Sequence, residues 1–237
     1  MEHWTVIKFR YIFRFSDGTE KTFIVELDPT TLEIRSRAAA PPGWARLDYH
    51  PCENCPLDPA VTAYCPVAVN LAPLVESFGR VLSYEEAKVI VETDERTVSK
   101  QTAVQEGLCS LMGLYMVSSG CPVLEKLRPM ARFHLPFASV EETIYRAASM
   151  YLLAQYFRNK KGLPADWPLA RLQSLYQEIK KVNTGLAQRL LSAAEKDAPL
   201  NAVALLDIFA IMLQEPTRDN VDTLESLFKP YLRPDGG

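Results

Sequence analysis

Apolar and polar side chains alternate through IKFRYIFRFSDGTEKTFIVEL: Ile7, Phe9, Tyr11, Phe13 and Phe15 stand at odd positions, while Lys8, Arg10 and Arg14 share the other face with Ile12. A period of two is that of a half-buried strand. Asp17-Gly18 marks the turn. A two-residue loop there would set Phe9 against Glu26, whereas a three-residue loop Ser16-Asp17-Gly18, with Gly18 left-handed, pairs Tyr11 with Phe23, Phe9 with Val25 and Ile7 with Leu27. The same register pairs Lys8 with Glu26 and Arg14 with Glu20 on the outer face, both favourable cross-strand contacts.

Short elements continue to about residue 98. LDPTTLEIR reads as a turn feeding a third strand near 32–35, and WARLDYH (44–50) as a fourth. Residues 66–78 read as a short helix kinked at Pro73, and AKVIVET (87–93) as one more strand. From about Ser99 the apolar period becomes helical. Val104, Leu108, Leu111 and Tyr115 form one stripe, which Gly120 stops. SVEE at 139–142 is a capping box opening a helix that RNKKG closes. Leu172, Leu175, Ile179, Val182, Leu186 and Leu190 keep helical spacing through Gly185, from about Pro168 onward. PLNAVALLDIFAIML (199–213) reads as a buried core helix and 221–232 as a last amphipathic one.

Strands first and helices later predict an α+β fold: an N-terminal antiparallel β-hairpin and small sheet, then a mostly helical C-terminal half. The division falls into 1–98, β-rich with the Cys/His segment, and 99–237, helical. No long flexible linker separates them, so one continuous domain is equally compatible, with RNKKGLPADWP as the candidate seam.

Composition narrows the function classes. A formal net charge of −3 gives no global pull toward nucleic acid or an anionic membrane. The apolar run at 199–213 is too short to span a bilayer and carries Asp207. MEHWTVIKFRYIF lacks the basic and apolar regions of a secretory signal, so a cytoplasmic location with reduced thiols is expected.

The chemistry concentrates in HPCENCPLDPAVTAYCP, residues 50–66, which holds three of the chain's five cysteines. Cys52 and Cys55 form a C-x2-C pair, the spacing at which two thiolates grip one metal from a tight turn. Cys65 follows, and the fourth ligand is either Cys121 or His50. Cys55, Cys65 and Cys121 all precede proline, which favours Cys121; His50 lies only two residues from Cys52. Thiolate-rich ligation points to zinc, with an iron–sulfur cluster as the alternative. Unligated reduced thiols and a thiol–disulfide couple are the competing explanations. Cys109, between apolar helical neighbours, reads as an inert core thiol.

A second cluster, Arg128, Arg132 and His134 with Arg146 beyond, has the donors to bind a phosphate or carboxylate. Solvated or ion-paired arginines are the plainer explanation. There is no Walker A loop, G-x-G-x-x-G, G-x-S-x-G or H-E-x-x-H. Together these features lead to a metal-stabilised regulatory or protein-interaction module with a protein partner. The alternative is an enzyme acting on an anionic small molecule through Arg128, Arg132 and His134; nucleic-acid binding is disfavoured by charge.

Overall fold

The computed structural model describes residues 6–35, 40–213 and 221–233. Its first two strands, β1 (Ile7–Phe15) and β2 (Glu20–Leu27), pair antiparallel with Ile7 opposite Leu27, Phe9 opposite Val25, Tyr11 opposite Phe23 and Arg14 opposite Glu20. Three residues close the hairpin. Phe15 N–H donates to the Thr19 carbonyl at 2.9 Å, and Gly18 takes a left-handed φ of 86°. On the outer face Arg14 meets Glu20 at 2.8 Å and Lys8 meets Glu26 at 3.8 Å. Such exposed pairs are worth at most about 1 kcal/mol each, so they reinforce a register that burial of Phe9, Tyr11 and Phe13 already dictates.

β3 (Glu86–Glu92) joins the other edge of β1, and β4 (Thr97–Ala103) joins β3, giving an antiparallel sheet of order β2-β1-β3-β4. The protein is therefore α+β. The helix expected from Ser99 starts instead at Val104, because TVSKQTA is an edge strand. Most of its side chains are exposed, and a strand with neither face buried shows no hydrophobic alternation to read. Two expected strands are corrected as well. Near 32–35 only Ile34 bridges to Leu27, after Leu32 turns the chain with a left-handed φ of 59°. Residues 44–50 form a 3-10 turn, Gly43–Ala45, followed by a single bridge from Arg46 to Tyr64.

Two helices, α1 (Pro66–Phe78) and α2 (Val104–Val117), cover the apolar face of the sheet. Phe78 of α1 meets the Phe13 ring at 4.8 Å and stacks on Phe23 at 5.5 Å. On α2, Gly107 lets the helix backbone close onto Phe13 and Val89. Pro73 lies within α1. After α2 the chain turns at Gly120, passes the short α3 (Arg128–Arg132) and enters α4 (Val140–Lys160). The capping box that opens α4 has both bonds: Glu142 N–H to Ser139 Oγ at 3.1 Å, and Ser139 N–H to Glu142 Oε2 at 2.7 Å.

α5 (Ala170–Ala193) and α6 (Ala198–Met212) follow. Asp166 accepts the first amides of α5, from Ala170 and Arg171, and its carboxylate also takes the Tyr151 hydroxyl. The amphipathic helix expected at 221–232 is replaced by a 3-10 run, Glu225–Tyr231, none of whose residues is buried. Pro230 within that run lacks the amide a continuing α-helix needs. The chain divides into two compact units, Met1–Phe137 with Lys181–Asp207, and Ala138–Lys180 with Ile208–Gly237. Among the described residues no helix is long and apolar enough to cross a membrane.

Candidate metal centre

The cysteine segment is held at its base by backbone pairing. Cys65 N–H donates to the Ala45 carbonyl at 2.8 Å and Leu47 N–H to the Ala63 carbonyl at 2.9 Å, flanking the bridge between Arg46 and Tyr64. Inside this loop Cys55 N–H donates to the Cys52 carbonyl at 3.1 Å, the tight turn that a C-x2-C pair requires. Cys65 is the N-cap residue of α1, so the positive end of that helix adjoins its side chain. Gly120, at φ 87°, delivers Cys121 just past the end of α2.

These elements bring Cys52, Cys55, Cys65 and Cys121 to the lining of one hollow, completed by Val182, Leu186 and Arg189 of α5. All of them belong to the first unit. The hollow has room for a water-sized sphere, whose centre can move through about 20 Å³. His50 is not part of the lining. It is exposed, its ring stands edge-on to Tyr49 at 4.6 Å, and its left-handed φ of 43° turns the chain into the cysteine loop.

Arg189 is the residue that sequence reasoning did not single out. It is only 1% exposed. Its guanidinium donates to the carbonyls of Trp44 at 2.8 Å, Arg46 at 2.7 Å and Leu47 at 3.3 Å, while its Nε is buried with no partner. The nearby Asp48 binds Arg46 through both oxygens at 3.0 Å, and its carboxyl is held below the usual range chiefly by that Arg46 bond, with the Arg189 charge contributing. A buried cation is costly unless its donors are met, and here three backbone carbonyls meet them apart from Nε. The signal in the sequence is an arginine between Leu186 and Leu190 on a buried helical face.

α5 runs along the cysteine segment. Tyr49 donates to Ser192 Oγ at 2.7 Å, Lys181 pairs with Glu53 at 3.4 Å, and the Cys52 thiol lies 3.9 Å from the Val182 carbonyl. The closest approach is at Gly185, where a Cβ would stand 2.9 Å from Cys52 Sγ. Alanine is the better helix former by about 1 kcal/mol. Even so, Gly185→Ala is expected to lose about 1–3 kcal/mol by overpacking, read in urea denaturation. A gain in stability would show that Cys52 simply gives way.

Burial and the neighbouring thiols of Cys65, Cys55 and Cys121 push the Cys52 thiol up to about 12, with Arg189 pulling the other way. Burial also raises Cys121, while the amides of Leu124 and Val123 beside its sulfur favour the thiolate. The buried Cys109 is pushed up to about 12 by desolvation, consistent with an inert core thiol. These directions set a pH dependence. In the metal-free folded protein Cys52 keeps its proton well above pH 9, whereas an unfolded thiol loses it near pH 8.5. There the unfolded state binds fewer protons, so folding stability falls as pH rises. Metal-free protein is expected to weaken from about pH 9 upward in urea melts. Were a metal to hold the thiolates, that loss would be absent and the metal would leave as pH falls.

The second cluster is engaged elsewhere. Arg128 pairs with Glu33 at 2.8 Å, its Nε buried without a hydrogen-bond partner, and Arg132 lies over the Phe133 ring at 5.9 Å. His134 Nε2 is hydrogen-bonded to the Tyr11 hydroxyl, and its ring meets Phe9 edge-on at 5.5 Å. With Ser110 Oγ at 3.0 Å, that histidine satisfies the one side-chain polar atom of a buried tyrosine. Arg146 lies in the second unit, where Tyr176 and Glu142 are its charged or polar neighbours and burial lowers its affinity for a proton.

Among the described residues no group of three or more His, Cys, Asp or Glu side chains is placed so as to hold a metal ion. Fold and site together define an α+β protein with an antiparallel sheet and a hollow lined by four cysteines. A family model described as Domain of unknown function (DUF6901) matches residues 9–229, and the chain belongs to that family. No curated protein and no solved structure matches it.

Proposed function

We propose that this protein is a metal-stabilised regulatory or interaction module of the cytoplasm, in which Cys52, Cys55, Cys65 and Cys121 ligate an inorganic centre and a protein partner is the working ligand. The observation that carries the metal is Arg189: buried, with an unpartnered Nε, lining the same hollow as the four thiols. Neutral thiols offer that cation no charge, and Asp48, the carboxylate that feels it, is already held by Arg46. Four thiolates on a divalent or cluster core carry net negative charge that would balance it. The centre would fasten the cysteine loop, the start of α1, the end of α2 and the second half of α5, so its effect is on folding first.

The partner is supported by apolar side chains that the second unit leaves exposed. On α4, Tyr145, Leu152 and Tyr156 follow one another at helical spacing, with Leu153 and Phe157 beside them, all between about a third and a half exposed. The enzyme alternative has less to stand on, since Arg128 and His134 already have protein partners. The test is elemental analysis of purified protein, joined to thermal melts with and without a strong chelator. A stoichiometric metal and a melting temperature that drops on chelation are expected. Absence of metal together with an unchanged melt would overturn the proposal.

A further inference from the structure

We infer that the exposed face of α4 is the seat of a second copy of this chain, packed antiparallel across a two-fold axis; this rests on the protein partner proposed above and names it. α4 buries Ile144, Ala147, Ala148, Tyr151 and Gln155 on one side. The other side carries Tyr145, Ser149, Leu152 and Tyr156, all exposed, at intervals of four, three and four residues. That spacing makes a seam along which one helix packs on another. Leu153 and Phe157, also exposed, widen it on one flank. Large apolar side chains gathered on the outer face of a helix whose inner face is already buried mark an interaction surface.

The ends of the helix say what covers the seam. α4 opens with Glu141 and closes with Lys160, both exposed and on the same side as the seam. Among the described residues neither belongs to an ion pair. Two copies running antiparallel, with the axis level with Met150 and Tyr151, set Glu141 of each against Lys160 of the other. The same register sets Tyr145 against Tyr156 and the small Ser149 against Leu152, so the helices can approach closely at the centre. Each positive helix N-terminus then adjoins a negative C-terminus. A parallel pair would instead stack Glu141 on Glu141 and Lys160 on Lys160, and would align the two dipoles. In charge and in apolar pattern, α4 complements an antiparallel copy of itself.

Area sets the strength. An aromatic side chain hides roughly 150–250 Å² when fully buried. Tyr145, Tyr156 and Phe157, each about half exposed, together with Leu152 and Leu153 offer on the order of 500 Å² per copy, and a pair about 1,000 Å². That is the small end of specific interfaces, so the dimer is expected to dissociate in the micromolar range. The charged pairs lie at the rim, where they fix orientation more than they add strength.

The experiment is sedimentation equilibrium of the full chain across the micromolar range, at low and at high salt. Wild type is expected to pass from monomer to dimer as concentration rises, and to require more protein for it at high salt. Leu152→Glu, which brings two like charges together beside the axis, should weaken association at least about tenfold. Tyr84→Glu, at an exposed tyrosine of the first unit, should leave it unchanged. Glu141→Lys alone and Lys160→Glu alone should each weaken the dimer by about threefold to tenfold at low salt. The two together should restore it, because the exchanged charges oppose each other again in an antiparallel pair and repel in a parallel one. Where Leu152→Glu fails to fold, the charge variants carry the comparison, since both positions are exposed at helix ends. A chain monomeric throughout, a dimer indifferent to Leu152→Glu, or a double exchange that does not recover association would overturn the proposal. Metal content and the chelation melt report on the first unit, so self-association can fail with the metal-stabilised module standing, and the reverse.

Discussion

Replacing Cys121 with serine is expected to empty the hollow of metal and to destabilise the first unit by about 3–5 kcal/mol, the usual cost of stripping a buried charge of its partner. The magnitude follows from Arg189. With the centre present, its guanidinium faces net negative charge; with the centre lost, it remains 1% exposed beside neutral thiols. Cys121 is the informative ligand because it comes from beyond α2, while the other three come from the segment clipped between Ala45 and Cys65. Its loss should therefore loosen the end of α2 as well as the cysteine loop, visible as faster amide exchange at both. Two comparisons isolate the cause. Cys109→Ala changes a thiol on the buried face of α2 and should leave metal content unchanged. After chelation, wild type and Cys121→Ser should melt together, since the difference between them is the metal.

Arg189→Met is the second substitution for which a large loss is expected, about 3 kcal/mol or more even in metal-free protein. The carbonyls of Trp44, Arg46 and Leu47 all lose their donor, and each buried acceptor left unpaired costs about 1–3 kcal/mol. Methionine keeps the packing of the aliphatic stem, so the loss reports hydrogen bonds and charge. Arg189→Lys should recover only part of it, because one ammonium cannot span the three carbonyls that the planar fork reaches. Urea melts of the two variants beside wild type read this directly, and equal stability of Arg189→Met and wild type would show that the three carbonyls find other donors.

The hairpin was legible because one buried face dictates a single register, and a slip by one residue would have turned Phe9 and Tyr11 to water. The capping box at Ser139 was legible because its chemistry is local. What escaped depended on distant partners. β4 is a polar edge strand whose pairing with β3 leaves no trace of alternation in TVSKQTA. The apparent strand at 44–50 is apolar and extended enough to read as one, yet its carbonyls are bound by a guanidinium more than 140 residues away. C-x2-C marks a local turn, and spacing alone left Cys121 and His50 as rival fourth members of the set. The structure separates them, with Cys121 lining the hollow and His50 exposed, while Gly185 was the clue to the α5 wall. A glycine inside a long helix costs about 1 kcal/mol unless something presses against it, and here Cys52 does.

The most direct measurement is X-ray absorption on the metal of anaerobically purified wild-type protein, compared with Cys121→Ser. Four cysteines sharing one centre predict a first shell of sulfur alone, and the loss of that spectrum in the variant. A first shell containing nitrogen or oxygen, or a spectrum unchanged by Cys121→Ser, would contradict it.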